Sequence, residues 1–206
     1  DGIRDRDVTG VQTCALPIFN EDIKENPKSL VYIIPFCNNP TGLTMKNNQL
    51  TDFLNSIQEN TIILSDETYQ FLHYNFCKDN IPNKPIAFYK ENIISLGTFS
   101  KILAPGVRLG WIYSCLKINN KTLTEFLDDT GFMDSGGSVN PVMAYMISQN
   151  ILNQYNEYKL FLQNTIDDLE KKSNYILKIF NKYPQHFIFE TTKPDGGYFV
   201  FVKSKL

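Results

Sequence analysis

Four short apolar runs constrain the fold of this chain most strongly. They span Leu30 to Pro35, Thr61 to Leu64, Ile93 to Leu96 and Leu109 to Ser114. Short, continuous apolar runs are typical of parallel strands that are buried on both faces of a sheet. Between the first two runs, residues 50–57 carry apolar side chains at helical spacing, which predicts a helix. Strand, helix and strand joined by short links indicate an α/β fold with a mostly parallel sheet.

The second half of the chain predicts two helices followed by two more strands. Asn140 can cap a helix over Pro141 to Ile151, and a longer helix is predicted over Leu160 to Phe180. Apolar and polar residues then alternate over Phe187 to Glu190 and over Tyr198 to Val202, as they do in strands. This change from helices to alternating strands indicates that a second domain begins after the long helix.

The chain therefore divides into three predicted parts. Residues 1–18 begin with a charged stretch and carry no regular pattern, so we expect a non-native extension or a disordered arm. Residues 19–183 form most of a large α/β domain with its connecting helix. Residues 184–206 start a small α+β domain, which ends too soon after its last predicted strand to be complete.

Composition gives no support to several functional classes. The net charge is −2, which provides no electrostatic reason to expect nucleic acid or an acidic membrane as partner. No apolar run approaches the roughly 18 residues that a membrane-spanning helix needs. The four cysteines form no CxxC pair, which favours unpaired thiols in a reducing compartment such as the cytoplasm. Only two histidines are present, so no metal site is expected.

Polar side chains follow three of the predicted strands. Asn39 comes after the first strand, and Asp66 comes after the second. The third strand is followed by a cluster of three polar residues, Thr98, Ser100 and Lys101. Ligands of open α/β sheets bind at the carboxyl ends of the strands. An amide, a carboxylate and an amine are therefore expected at one site.

Lys101 is the candidate catalytic residue of this group. A lysine amine can condense with an aldehyde to form a Schiff base. The hydroxyls of Thr98 and Ser100 and the guanidinium of Arg108 are groups that bind phosphate well. An aldehyde and a phosphate on one molecule describe pyridoxal phosphate. Once substrate has released it, the Lys101 amine is placed to move the α-proton of the substrate.

The other polar residues fit the ring of the same cofactor. A carboxylate beside the pyridine nitrogen favours its protonated form, and Asp66 is the candidate. Asn39 and Tyr69 can donate hydrogen bonds to the ring oxygen. Gly97 and Gly106 permit a close backbone approach. Each residue alone also has an ordinary explanation as a turn, core or surface residue, so the interpretation depends on the combination.

Four stretches of the chain carry a family resemblance: Pro35 to Gly42, Ser65 to Tyr69, Thr98 to Trp111, and Lys193 to Phe199. Together they resemble the class I/II aminotransferases of the fold-type I pyridoxal-phosphate family, over roughly residues 28–203.

This resemblance implies a three-layer sandwich with pyridoxal phosphate bound to Lys101 as a Schiff base. Asp66 would then pair the ring nitrogen, and Asn39 and Tyr69 would contact the ring oxygen. The phosphate would be held by Thr98, Ser100 and Arg108. An aminotransferase moves an amino group between an amino acid and a 2-oxo acid, and family members work as homodimers.

The chain also departs from the family pattern. Family members are about twice as long, and Thr98 stands where serine is commoner. A glycine-rich phosphate-binding turn and a ring-stacking aromatic are expected upstream, and an arginine that holds the substrate carboxylate is expected downstream. We therefore expect this chain to be a central fragment that is inactive alone.

Three alternative functions stay open on the sequence. A lyase or decarboxylase of the same fold would use the same residues, and nothing here identifies the amino donor or acceptor. A transcriptional regulator could use such a domain to sense pyridoxal phosphate, in which case a winged DNA-binding module would lie upstream. A hydroxyl–lysine nucleophile pair made of Thr98 and Lys101 is a weaker alternative. It leaves four of the polar residues unexplained: Asn39, Asp66, Tyr69 and Arg108.

Overall fold

A four-stranded sheet is the centre of the structure, a computed structural model that describes residues 30–131, 139–188 and 193–204. Its strands are β1 (Leu30–Ile33), β2 (Ile62–Asp66), β3 (Ile93–Thr98) and β4 (Gly110–Ser114), in that spatial order. β1, β2 and β3 are parallel, whereas β4 runs antiparallel to β3. The mostly parallel sheet is thus confirmed, and the predicted segment 1–18 lies outside the described residues.

Helices flank this sheet. The helix α1 (Asn47–Ser56) connects β1 and β2, and two 3-10 turns lie between β2 and β3. The remaining elements are 3-10 turns at Asn75–Asn80, Ile86–Phe88 and Pro105–Val107, β5 (Lys117–Ile118), β6 (Lys121–Thr122), α2 (Leu123–Asp129), α3 (Pro141–Asn153), α4 (Tyr155–Phe180), β7 (Phe187–Ile188) and β8 (Lys203–Ser204). Among the described helices, none combines the length and hydropathy that crossing a bilayer requires.

The predicted helix that follows Asn140 is confirmed together with its cap. Asn140 Oδ1 accepts hydrogen bonds from the backbone N–H groups of Val142 and Met143, at 3.1 and 3.2 Å. These bonds satisfy two donors that a helix start otherwise leaves unpaired. Pro141 occupies the first helical turn, where its missing N–H removes no helical hydrogen bond.

One face of the sheet carries the main hydrophobic core. Phe53 of α1 packs with Ile63 of β2 and Ile93 of β3, and all three are at most 2% exposed. The expectation that β1 is buried on both faces is wrong for the described residues. Leu30 and Tyr32 are 66% and 57% exposed, because their side chains alternate away from this core.

The predicted strand over Tyr198 to Val202 is also wrong. The strand that pairs with β7 is instead the shorter β8, formed by Lys203–Ser204. The aromatic side chains at the start of the predicted strand make contacts elsewhere, since the Phe199 ring packs edge-on against Tyr69 with ring centroids 5.5 Å apart. Residues 189–190 of the other predicted strand lie outside the described residues.

Residues 194–197 are inserted between two loops of the sheet domain. The Asp195 N–H donates to the carbonyl of Gly42 at 2.8 Å, and the Gly197 N–H donates to the carbonyl of Leu72 at 3.0 Å. Between them Gly196 pairs with His73 as an isolated bridge. The predicted small domain starting at residue 184 stays a prediction, but its 194–197 segment is anchored on the sheet domain.

Gly196→Ala is expected to destabilise the protein by about 1–3 kcal/mol, because the added methyl group has no space. A Cβ at this position would lie 2.4 Å from the Leu72 carbonyl oxygen and 2.6 Å from Cys37 Sγ. Urea unfolding monitored by circular dichroism measures the free energy of unfolding. Gly106→Ala is the matched control, since a Cβ there meets nothing within 4 Å. Equal stability of Gly196→Ala and wild type would show that this segment is not packed as described.

Candidate active site

Strand register brings three polar side chains to one face of the sheet. Tyr32 of β1 pairs with Leu64 of β2, and Asp66 of β2 pairs with Leu96 of β3. Paired residues of parallel strands share a face, and so do residues two apart along one strand. Tyr32, Asp66 and Thr98 therefore lie on the same face, opposite to the main core.

The Asp66 carboxylate is held from two sides. Its Oδ1 accepts hydrogen bonds from the backbone N–H of Thr68 at 3.0 Å and from Thr68 Oγ1 at 2.5 Å. Its Oδ2 accepts a hydrogen bond from Tyr32 Oη, also at 2.5 Å. Partial burial, followed by the hydrogen bond and the charge of Asp66, raises the pKa of Tyr32 to about 12. Tyr32 therefore keeps its proton and acts as a hydrogen-bond donor at neutral pH.

The loop after β3 places two hydroxyls side by side. Thr98 Oγ1 lies 3.0 Å from Ser100 Oγ and accepts a hydrogen bond from the Ser100 backbone N–H, also at 3.0 Å. Arg108 lies near the end of the same loop in a left-handed backbone conformation with φ of 52°. Its Nη1 donates to the Pro105 carbonyl at 3.2 Å, and its side chain is exposed.

Lys101 is exposed in this loop and lies near two aromatic rings. Its Nζ is 6.0 Å from the centre of the Tyr69 ring. Its carbonyl oxygen accepts a hydrogen bond of 2.7 Å from Tyr198 Oη. Burial, and then the nearby charge of Asp66, raise the pKa of Tyr69, so its hydroxyl stays protonated. The structure thus brings Asp66, Tyr69 and Lys101 into one region.

Asn39 occupies the loop that follows β1 and is exposed. The internal bonds of this loop use its neighbour Asn38, whose Nδ2 donates to the Ile34 carbonyl and whose Oδ1 accepts from Thr41 Oγ1, both at 3.1 Å. Among the described residues, no hydrogen bond of the Asn39 side-chain amide closes this turn. No contact described in the structure joins Asn39 or Arg108 directly to Lys101.

The two glycines predicted to allow close approach differ in their surroundings. A Cβ at Gly97 would lie 2.0 Å from atoms of the Trp111 ring, so this glycine makes room for the indole across the β3–β4 pair. A Cβ at Gly106 would meet nothing within 4 Å, so no packing within the described residues requires a glycine there.

Sequence reasoning missed Tyr32 and Tyr198, which contact the site by hydrogen bonds. Tyr32 had a usable signal, because it is the only residue with a polar group in the run Leu30 to Pro35. A tyrosine hydroxyl within an apolar strand usually finds a hydrogen-bond partner. Tyr198 had a weaker signal, since its partner is the backbone of a residue 97 positions away.

Comparison with models of protein families shows which family the chain belongs to. The sequence model described as "Aminotransferase class I and II" matches residues 12–205. The chain belongs to this family. Family membership makes pyridoxal phosphate its cofactor, and the side chains that the structure brings together suit that group. A carboxylate fixed by three donors and a hydroxyl pair lie at the carboxyl ends of adjacent strands, and an exposed amine lies in the next loop.

Two named relatives match different lengths of the chain. The chain is 28% identical over 178 residues to the HTH-type transcriptional regulator NorG of Staphylococcus aureus (strain USA300), covering 85% of this chain and 37% of that protein. It is 44% identical over 93 residues to aromatic-amino-acid aminotransferase 1 of Thermococcus litoralis, covering 43% of this chain and 21% of the relative.

Solved structures agree with these sequence matches. The crystal structure of a multiple substrate aminotransferase from Thermococcus profundus superposes with a TM-score of 0.71 and 25% identity, over 93% of this chain and 45% of that one. The chain therefore spans less than half the length of the relatives it matches here.

Proposed function

We propose that the full-length protein is a pyridoxal-phosphate-dependent aminotransferase, which moves an amino group between an amino acid and a 2-oxo acid. One observation carries the proposal. Asp66 and Thr98 share a face at the carboxyl ends of neighbouring parallel strands, and Lys101 lies in the loop that follows Thr98. This is the position where open α/β sheets bind their ligands.

The chain's own residues have separate tasks in binding. Thr98 and Ser100 would donate hydroxyl hydrogen bonds to the phosphate, and the exposed Arg108 side chain would add a guanidinium to them. Asp66 would face the ring nitrogen as a counter-charge. Tyr69, which stays protonated, would donate to the ring oxygen.

Asn39 would donate its side-chain amide to the same ring oxygen, since the turn leaves that amide available. Pyridoxal phosphate, when bound, supplies an aldehyde carbon for attachment and a ring that accepts electrons from the substrate. Lys101 would hold the aldehyde carbon and, once displaced by substrate, accept the α-proton and deliver it again. Tyr198 Oη donates a hydrogen bond to the Lys101 carbonyl, and the Lys101 side chain is exposed, so the amine is accessible to the aldehyde.

The test is product analysis with the full-length protein. The protein is incubated with pyridoxal phosphate, 2-oxoglutarate and a panel of amino acids. We expect glutamate and the matching 2-oxo acid to form in equal amounts. Ammonia released without glutamate would identify a lyase of the same fold instead. No visible absorbance of a bound cofactor after reconstitution would reject the proposal.

A regulator is the second candidate, and the NorG match favours it. That relative is named an HTH-type transcriptional regulator, and the match covers 85% of this chain. The same residues would then hold pyridoxal phosphate as a sensed ligand rather than as a working cofactor. The discriminator is the gene sequence upstream, where a winged DNA-binding module would favour the regulator. Cofactor binding without turnover would favour it further.

Asp1–Leu206 expressed alone is expected to transaminate at least about 10²-fold more slowly than the full-length protein. Misplacement of a substrate by about 1 Å already costs roughly that factor. We propose that the upstream phosphate-binding turn, the downstream carboxylate-binding arginine and a homodimer interface complete the site. Both proteins are assayed with saturating pyridoxal phosphate. Comparable rates would show that these parts are dispensable.

A further inference from the structure

Asp66 has a free acceptor position on only one of its two carboxylate oxygens, counted over the described residues. A carboxylate offers about four acceptor positions, two on each oxygen. Both positions of Oδ1 are occupied by Thr68, through its N–H and its hydroxyl. Oδ2 accepts one hydrogen bond, from Tyr32 Oη at 2.5 Å. A ring nitrogen that pairs with Asp66 would therefore share Oδ2 with Tyr32.

Tyr32 and Thr68 hold the carboxylate in different ways. Thr68 is two residues from Asp66, so its two bonds fasten Oδ1 within the end of one strand. Tyr32 lies 34 residues away on β1 and fastens Oδ2 across the strand pair. Only the Tyr32 bond, among those described, fixes the direction of the oxygen that still has an acceptor position. It remains a donor bond because the pKa of Tyr32 is raised to about 12 by partial burial and then by Asp66.

We propose that Tyr32 is a positioning residue, which holds Oδ2 of Asp66 so that its remaining acceptor position faces the ring nitrogen of pyridoxal phosphate. The inference rests on the proposed function, since it takes Asp66 as the partner of the ring nitrogen. Tyr32 acts through Asp66 and need not touch the cofactor. Removing the Tyr32 hydroxyl leaves the charge of Asp66 in place but takes away the hydrogen bond that holds Oδ2 of Asp66.

The experiment is Tyr32→Phe in the full-length protein. We expect kcat to fall about tenfold, as when an orienting hydrogen-bond partner behind a ligand is removed. Two readouts do not depend on activity: the dissociation constant of pyridoxal phosphate, and the pH at which the visible absorbance of the bound cofactor changes. Both should move in the same direction as in Asp66→Ala, by a smaller amount.

Tyr113→Phe is the matched control. It removes the same hydroxyl from β4 of the same sheet, where Tyr113 Oη lies 3.8 Å from Cys115 Sγ. Its cofactor affinity and its spectral pH profile are expected to equal those of wild type. Circular dichroism checks that both variants fold, which an exposed Tyr→Phe change should allow.

A double variant shows whether Tyr32 acts through Asp66. If it does, Tyr32→Phe added to Asp66→Ala should change neither cofactor readout further, because the hydroxyl then has nothing to orient. Fully additive effects would overturn the inference. So would wild-type affinity in Tyr32→Phe, or tighter affinity, which would mean that the hydroxyl occupies the place of the ring. If wild type itself binds no pyridoxal phosphate, the proposed function fails together with this inference.

Discussion

Lys101→Ala is expected to abolish covalent attachment of pyridoxal phosphate in the full-length protein. Alanine has no amine to condense with the aldehyde, so borohydride reduction should no longer leave a stable adduct. Activity should fall by at least about 10⁴-fold, the upper end of what a positioned proton-transfer group contributes. Steady-state assays give the rate, and mass spectrometry of peptides from the reduced protein locates the adduct.

Two controls separate the lost amine from other effects. Lys101→Arg keeps the positive charge but has no nucleophilic amine, so it should lose the adduct as completely as alanine does. Lys117→Ala removes an exposed lysine from β5 and should keep the wild-type adduct. A borohydride adduct retained in Lys101→Ala would show that another lysine holds the cofactor, and would contradict the assignment.

Much of the site was predictable because it depends on where strands end. Asp66 and Thr98 stand at the last positions of β2 and β3, and the predicted apolar runs locate these strand ends to within two residues. Parallel pairing then brings the carboxyl ends of these strands to the same edge of the sheet, so the positions of the strand ends are enough to predict that Asp66 and Thr98 lie near each other. Successive side chains along a strand point to opposite faces of the sheet. Glu67, the neighbour of Asp66, therefore points to the opposite face, where it is 1% exposed.

Glu67 shows why adjacent carboxylates have different roles. Its Oε1 accepts hydrogen bonds from Ser65 Oγ at 2.9 Å and from the Ile86 N–H at 3.0 Å, and Ser95 Oγ is a third donor. Burial raises the pKa of Glu67, against the opposing effect of these donors. Glu67 therefore fastens the loop between β2 and β3 to the core, while Asp66 faces the site.

The direction of β4 could have been predicted from loop length. Only residues 99–109 separate β3 from β4, whereas residues 34–61 separate β1 from β2. A parallel connection needs a crossover of about a dozen residues or more, usually with a helix, and the shorter link carries only a 3-10 turn. An antiparallel strand was therefore the simpler expectation.

Strand ends do not predict the position of the Tyr32 hydroxyl. They also do not predict the path of the segment after Gly197. The Tyr32 bond depends on the register between strands whose residues are 34 positions apart. Phe199 leaves the alternating pattern because Tyr69 offers its ring a packing partner. Both placements are tertiary effects, which local pattern and propensity do not encode.

Asp66→Ala is expected to lower the rate of the full-length protein by about 10²-fold or more, comparable to removing one strong electrostatic stabiliser. If Asp66 pairs the ring nitrogen as proposed, the alanine leaves that nitrogen without its counter-charge, so the ring accepts electrons less well. Asp66→Glu keeps the charge on a longer side chain and should lose less activity.

Asp168→Ala is the control, because it removes an exposed carboxylate of α4 that pairs with Lys172, and it should behave as wild type. Activity of Asp66→Ala equal to wild type would reject the assignment. Loss of activity in Asp66→Ala with an unchanged spectral pH profile would place Asp66 in the site but away from the ring nitrogen.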